Sequence, residues 1–105
     1  MMGGNMNKMM KQVQKMQQDM ARLQEEMKTR TVECTSGGGM VKVIANGNNE
    51  IKAIEINPQA VDPEDVEMLQ DMVLAAVNES LKMAQEMVSQ EMNKLTGGMK
   101  IPGLF

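Results

Sequence analysis

Seven apolar residues at alternating spacings of three and four dominate the first quarter of the chain. Met6, Met9, Val13, Met16, Met20, Leu23 and Met27 form an unbroken a/d seam over three heptads. This is the pattern of a helix that packs lengthwise against another helix. The residues between are mostly Gln, Lys, Glu and Arg, good helix formers, with no proline or glycine among them, so a helix over 5–29 is expected. A seam of this length cannot be buried by its own helix. It demands a partner.

The period changes at Thr31. Residues 31–36, 40–45 and 50–57 are short runs rich in Val, Ile and Thr, separated by Gly37-Gly38-Gly39 and by Asn46-Gly47-Asn48-Asn49. Both connectors suit hairpins, because glycine and asparagine accept the positive φ such turns need. A three-stranded antiparallel meander over 31–57 follows. Ile54 and Ile56 on one side and Val41 and Val43 on the other suggest apolar cover on at least one face.

Asp62-Pro63-Glu64-Asp65 reads as a helix start, with Asp62 as the cap, Pro63 at the first helical position and acidic residues at the positive end of the dipole. The apolar pattern then runs from Val66 through Leu69, Val73, Ala76, Val77, Leu81, Ala84, Val88 and Met92 to Leu95, and Thr96-Gly97-Gly98 supplies a stop. A helix over 62–96 and a short mobile tail over 97–105 are expected. The fold class is therefore α+β, in the order α-β-β-β-α, as one domain.

Lengths add a constraint. At 1.5 Å per residue the second helix spans about 50 Å and the first more than about 35 Å. Strands of six to eight residues cover roughly 20–27 Å. Helices whose apolar stripes overhang the sheet need a second copy, so a homodimer with projecting helical arms is expected.

Composition restricts the chemistry. The 105 residues include 15 methionines, one cysteine, one phenylalanine and no histidine, tryptophan or tyrosine. Without histidine there is no Ser-His-Asp or Cys-His nucleophile system and no His-ligated zinc. A single cysteine, Cys34, makes no internal disulfide and fits a reduced, cytoplasmic setting as an inert buried thiol. Base-stacking nucleic-acid readers need aromatic platforms, which this chain lacks. The longest apolar run, residues 72–77, is far short of the roughly 20 residues that cross a bilayer. Neither a secretory leader nor membrane association is expected. Gly37-Gly38-Gly39 lacks the strand–loop–helix setting of a phosphate-binding loop. The seam methionines suit packing better than copper(I) ligation. No catalytic carboxylate pair, small-molecule substrate, metal or cofactor is read from the sequence, and an enzyme is not expected.

Charge is unevenly placed. The net charge is −3, yet residues 1–30 hold six basic groups against three acidic ones, and residues 62–96 hold two against eight. Lys8, Lys11, Lys15 and Arg22 are spaced three, four and seven apart. At about 100° per residue they cluster within roughly 60°, and lie more than about 120° from the seam. Such a stripe suits phosphate contact without sequence reading, though a plain solvated face has the same pattern. Lys28 and Arg30 extend it towards the sheet, and Lys100 lies in the tail.

Several segments together resemble the YbaB/EbfC family of bacterial nucleoid-associated proteins. They are Lys-Gln-Val-Gln-Lys-Met-Gln at 11–17, the run from Val32 to Val43 with Gly37-Gly38-Gly39 at its centre, Asn46-Gly47, Ile54-Glu55-Ile56-Asn57-Pro58, residues 68–78, and Ile101-Pro102-Gly103-Leu104-Phe105. The glycine-rich hairpin followed by Val-Lys-Val is the most specific of them. The resemblance implies an α-β-β-β-α homodimer shaped like tweezers, whose arms embrace duplex DNA, and a role in nucleoid organisation or gene regulation. The residues carried over are the basic positions Lys8, Lys11, Lys15 and Arg22, with Lys28, Arg30 and Lys100 beside them. The competing reading is a protein-interaction module, an adaptor or chaperone-like clamp that grips other helices with its Met-rich seams.

Overall fold

A computed structural model describes residues 2–95, with side chains from Met6 onward. The order is α1 (Met2–Met27), β1 (Thr31–Ser36), β2 (Val41–Asn46), β3 (Ile51–Ile56), a single 3-10 turn (Pro58–Ala60) and α2 (Val66–Leu95). This is the expected α-β-β-β-α arrangement. The particle is elongated, 77 × 22 × 16 Å. The stop at Thr96-Gly97-Gly98, the tail and Lys100 lie outside the described residues.

The sheet is an antiparallel meander in the order β1-β2-β3. Gly37, Gly38 and Gly39 all take positive φ, between 61° and 93°, as the first hairpin requires. In the second turn the positive φ falls on Asn49, at 61°, and Gly47 is not in that region. Its glycine answers a different need, described below.

The register pairs Val41 with Ile56 and Val43 with Ile54. These four residues therefore share one face of the sheet, which corrects their expected placement on two sides. A side-chain period of two puts directly opposed residues on the same face. Cys34 and Ser36 of β1 join them there, opposite Val43 and Val41. A bulge between Ile44 and Ala45 leaves Lys52 as the extra residue on β3.

α2 packs across β1 and β2 on that face. Ala76, Ser80 and Ala84, four apart, are its buried residues. Their short side chains let the helix come close to Val41 and Val43, which with Ala76 form the core. The Ser80 hydroxyl is satisfied by donating to the Val77 carbonyl at 2.8 Å. β3 lies beyond the helix, so Ile54 and Ile56 stay 46% and 39% exposed although they face the core side.

α2 begins at Val66, four residues after the expected start. Asp62-Pro63-Glu64-Asp65 is instead a turn. The Asp65 N–H donates to the Asp62 carbonyl at 3.0 Å, and Asp62 Oδ1 accepts from the Glu64 N–H at 2.9 Å. Proline suits the second position of such a turn as well as the first of a helix, so the sequence signal was shared. Asp65 is the cap, its Oδ1 accepting from the Met68 N–H at 3.2 Å. Asp65→Ala is expected to cost about 1 kcal/mol of stability. Asp62→Ala should cost less. Thermal unfolding of the two variants checks that order, and a larger loss from Asp62→Ala would reverse the assignment.

Candidate nucleic-acid interface

α1 ends at Met27, two residues before the expected end, because Thr29 and Arg30 turn back. Their N–H groups donate to the Glu26 carbonyl at 3.2 and 3.1 Å, and the Thr29 hydroxyl joins them at 3.0 Å. The seam then divides along its length. Leu23 and Met27 are buried, while Met16 and Met20 are half-buried. Met6, Met9 and Val13 are more than half exposed, as is Met10 beside them. With Gln14 they line an open groove of about 350 Å³. The base of α1 is thus covered by α2, and its outer half projects with an apolar stripe uncovered.

The basic residues also divide. Arg22 Nη2 lies 3.1 Å from Asp19 Oδ1 and its Nε 3.9 Å from Glu26 Oε1. Lys28 Nζ is 3.0 Å from Glu25 Oε2. Arg30 Nη1 is 2.8 Å from Glu91 Oε1, which also accepts from Lys94 at 3.2 Å. Lys8, Lys11 and Lys15 are exposed and pair with no carboxylate among the described residues. On α1, the cations with an unshared charge therefore sit together on its outer part, and those at its base are neutralised locally. Lys52 of β3 and Lys82 of α2 are also exposed without a carboxylate partner among the described residues, each on its own element. Exposed pairs such as Arg22 with Asp19 are weak, so a phosphate can still compete for that guanidinium.

Arg30 has a different task. Its bond to Glu91 ties the segment after α1 to the far end of α2. Hydrogen bonds from Arg30 and then Lys94 hold the Glu91 carboxyl below the ordinary glutamate range, against the opposing effect of burial. A carboxylate whose folded pKa is lowered contributes stability above its unfolded value, and loses it as pH falls through the folded one. Acidification through and below the ordinary carboxylate range is expected to loosen this α1–α2 link, and Glu91→Gln to remove that part of the pH dependence. An NMR titration midpoint for Glu91 at or above that of an unperturbed glutamate would overturn the assignment.

Of the two lysines on the sheet, Lys52 is exposed without a carboxylate partner among the described residues and Lys42 is paired. Lys42 Nζ is held 2.9 Å from Glu55 Oε2, its directly opposed neighbour on β3, and that bond raises the lysine pKa. Cys34 is buried with its Sγ 2.9 Å from Met83 Sδ, and burial pushes its thiol pKa up, with the Glu79 charge adding to it. Nothing here activates it as a nucleophile. Among the described residues no group of three or more His, Cys, Asp and Glu side chains is placed to hold a metal ion. No described helix is long and apolar enough to cross a membrane.

A second apolar surface lies beside β3. Ile56 with Leu69, Val73, Leu74 and Val77 of α2 lines an open groove of about 450 Å³, where Leu74 is 59% exposed. Sequence reasoning missed this patch, because Leu74 falls outside the helical stripe that faces the core.

The sequence pattern of the YbaB/EbfC DNA-binding family matches residues 2–99. A nucleoid-associated protein of Pelotomaculum thermopropionicum is 77% identical over 105 residues, with 100% of each chain covered. One of Desulforamulus reducens is 70% identical over 105 residues, again with 100% of each covered. The crystal structure of an uncharacterized protein from Helicobacter pylori is similar with a TM-score of 0.73 and 26% identity, over 84% of this chain and 92% of that one.

Proposed function

Because this chain belongs to the YbaB/EbfC DNA-binding family, we propose that it is a homodimeric nucleoid-associated protein that grips duplex DNA by its phosphates. Lys8, Lys11 and Lys15 are the principal contacts. The single observation that carries this reading is that these three, exposed and without a described carboxylate partner, lie together on the projecting part of α1. The rest of the chain is acidic enough to bring the total to −3. DNA is therefore repelled from the body and approaches the arms, which orients the encounter. Lysine is a flexible point charge, suited to following a backbone without reading bases. Arg22 is a secondary contact, available when phosphate displaces Asp19 and Glu26. Lys28, Arg30 and Lys100 contribute less.

Two copies join through the groove beside β3 and the exposed Ile54, Ile56 and Leu74, and so present two arms. Apolar side chains this exposed along a sheet edge and a helix flank favour burial against a like surface. In this reading the protein works in the cytoplasm at the nucleoid, where it organises DNA or modulates its expression. The family is one of nucleoid-associated DNA-binding proteins and not a known enzyme family.

Titration of a random-sequence duplex at low and moderate salt tests the proposal. Binding that weakens steeply with salt and varies little with sequence supports it. A second reading, a helical clamp for other proteins, is favoured by the uncovered Met6, Met9, Met10 and Val13. It gains if the duplex is not bound at low salt.

A further inference from the structure

The turn between β2 and β3 does more than reverse the chain. Asn46 is fully buried. Its Nδ2 donates to the Lys28 carbonyl at 3.0 Å and to Glu50 Oε1 at 2.8 Å. Its Oδ1 accepts from the N–H groups of Asn48 and Glu50, each at 3.0 Å. The next N–H, that of Gly47, is shared between the carbonyls of Met27 at 2.8 Å and Arg30 at 3.2 Å. One turn thus supplies donors to three carbonyls at and just past the end of α1, where helices run out of internal partners.

Gly47 is required for closeness and not for twist. A Cβ there would stand 2.7 Å from Met27 Cβ and 3.0 Å from the Met27 carbonyl oxygen. Neither atom is the free end of a side chain, so the helix itself would have to move. There is room for it. A cavity of about 130 Å³ adjoins this junction, lined in part by Met27, Gly47, Val88 and Met92.

We propose that Asn46 and Gly47 are positioning residues for DNA binding: they clamp the base of α1 and set the angle at which the arm leaves the sheet. The inference rests on the proposed phosphate-binding role of Lys8, Lys11 and Lys15. Leverage gives the clamp its effect. Relieving the Gly47→Ala contact takes a shift of about 1 Å at Met27. With Leu23 as the pivot, roughly 6 Å away along the axis, the shift grows to about 3 Å at Gln12, in the midst of the lysines. Phosphate contacts are made at about 3 Å, so a displacement of that size puts the arm out of register with the duplex.

The test uses the full chain in a Cys34→Ala background, with spin labels at Gln12→Cys on the arm and Thr35→Cys on the sheet. Excess unlabelled chain is added so that only the distance within one chain is read. Gly47→Ala is expected to shift that distance by about 3 Å and to weaken duplex binding several-fold, with helix content unchanged. Val43→Ala, which truncates the core, serves as the comparison. It should lower Tm and leave both distance and affinity as in the parent, which a merely structural role for Gly47 would also do. Should Gly47→Ala fail to fold, Asn46→Asp replaces it. That variant keeps the acceptor for the Asn48 and Glu50 N–H groups but loses the donor to the Lys28 carbonyl and to Glu50 Oε1, whose carboxylate it then repels, so the distance distribution should broaden and affinity fall. An unchanged distance overturns the clamp, as does a shifted distance with parental affinity. If instead the variant lacking Lys8, Lys11 and Lys15 binds DNA like the parent, the lysine site fails, and with it the functional role of the clamp. The label distance still reports separately whether the turn sets the arm.

Discussion

Replacing Lys8, Lys11 and Lys15 together with alanine is expected to weaken binding to every duplex alike and to flatten its salt dependence. Each neutralised phosphate contributes roughly −0.9 to the slope of log affinity against log salt. Three lysines on each of two arms correspond to a slope change of about 5, which over a fourfold range of salt is a difference of about 10³ in affinity. The variant should fold as the parent does, since all three side chains are exposed on a helix and alanine is the best helix former. Loss of binding can then be assigned to charge. Arg22→Ala should do less, because Asp19 and Glu26 already share that guanidinium. Replacing the three lysines with arginine should keep the slope. Fluorescence anisotropy of a labelled random duplex across a salt series reads all of these. A triple alanine variant with parental affinity and slope would remove the arm from the mechanism.

The sequence carried the helices and hairpins because their signals are local. A seven-residue seam, a triple glycine and a Val/Ile alternation each state a period or a dihedral preference without reference to the rest of the chain. What it could not carry was which half of the seam meets α2. Met6 and Met27 are the same residue type at equivalent seam positions, yet one is exposed and the other buried, since α2 reaches only the base of α1. The basic stripe is visible as a set of positions, and local spacing bears on which of them are paired. Asp19 and Glu26 stand three before and four after Arg22, spacings that bring side chains together on a helix. That signal could have separated Arg22 from the three lysines. Gly47 gave no such signal. A glycine in an Asn-Gly turn reads as a left-handed residue, and its close approach to Met27 depends on a contact twenty residues away in sequence.

Charging the patch beside β3 is expected to separate the two copies. Leu74 is 59% exposed in the single chain, so Leu74→Asp should leave helix content nearly unchanged and lower Tm only by what dimerisation adds to it. In a two-fold dimer the substitution occurs on both sides of the interface. Leu74 is already partly covered in the single chain, so losing the remaining burial of two leucines removes about 2–3 kcal/mol, which weakens dimerisation by about 30- to 150-fold. Placing two carboxylates there weakens it further. Sedimentation at micromolar concentration should shift from dimer towards monomer. DNA affinity should fall with it, because a monomer has one arm and loses the 10²–10⁴ that linked binding can add, an upper range of about that size. A new acidic residue could also repel DNA directly, so Leu74→Lys is the companion variant. It breaks the same apolar contact while adding a cation. Reduced binding by both variants, in step with their loss of dimer, assigns the effect to assembly. Binding reduced by Leu74→Asp alone would assign it to charge. If both variants stay dimeric, the groove beside β3 is not the interface. The uncovered stripe of Met6, Met9 and Val13 then becomes the surface to charge next, since it lines another open apolar groove among the described residues.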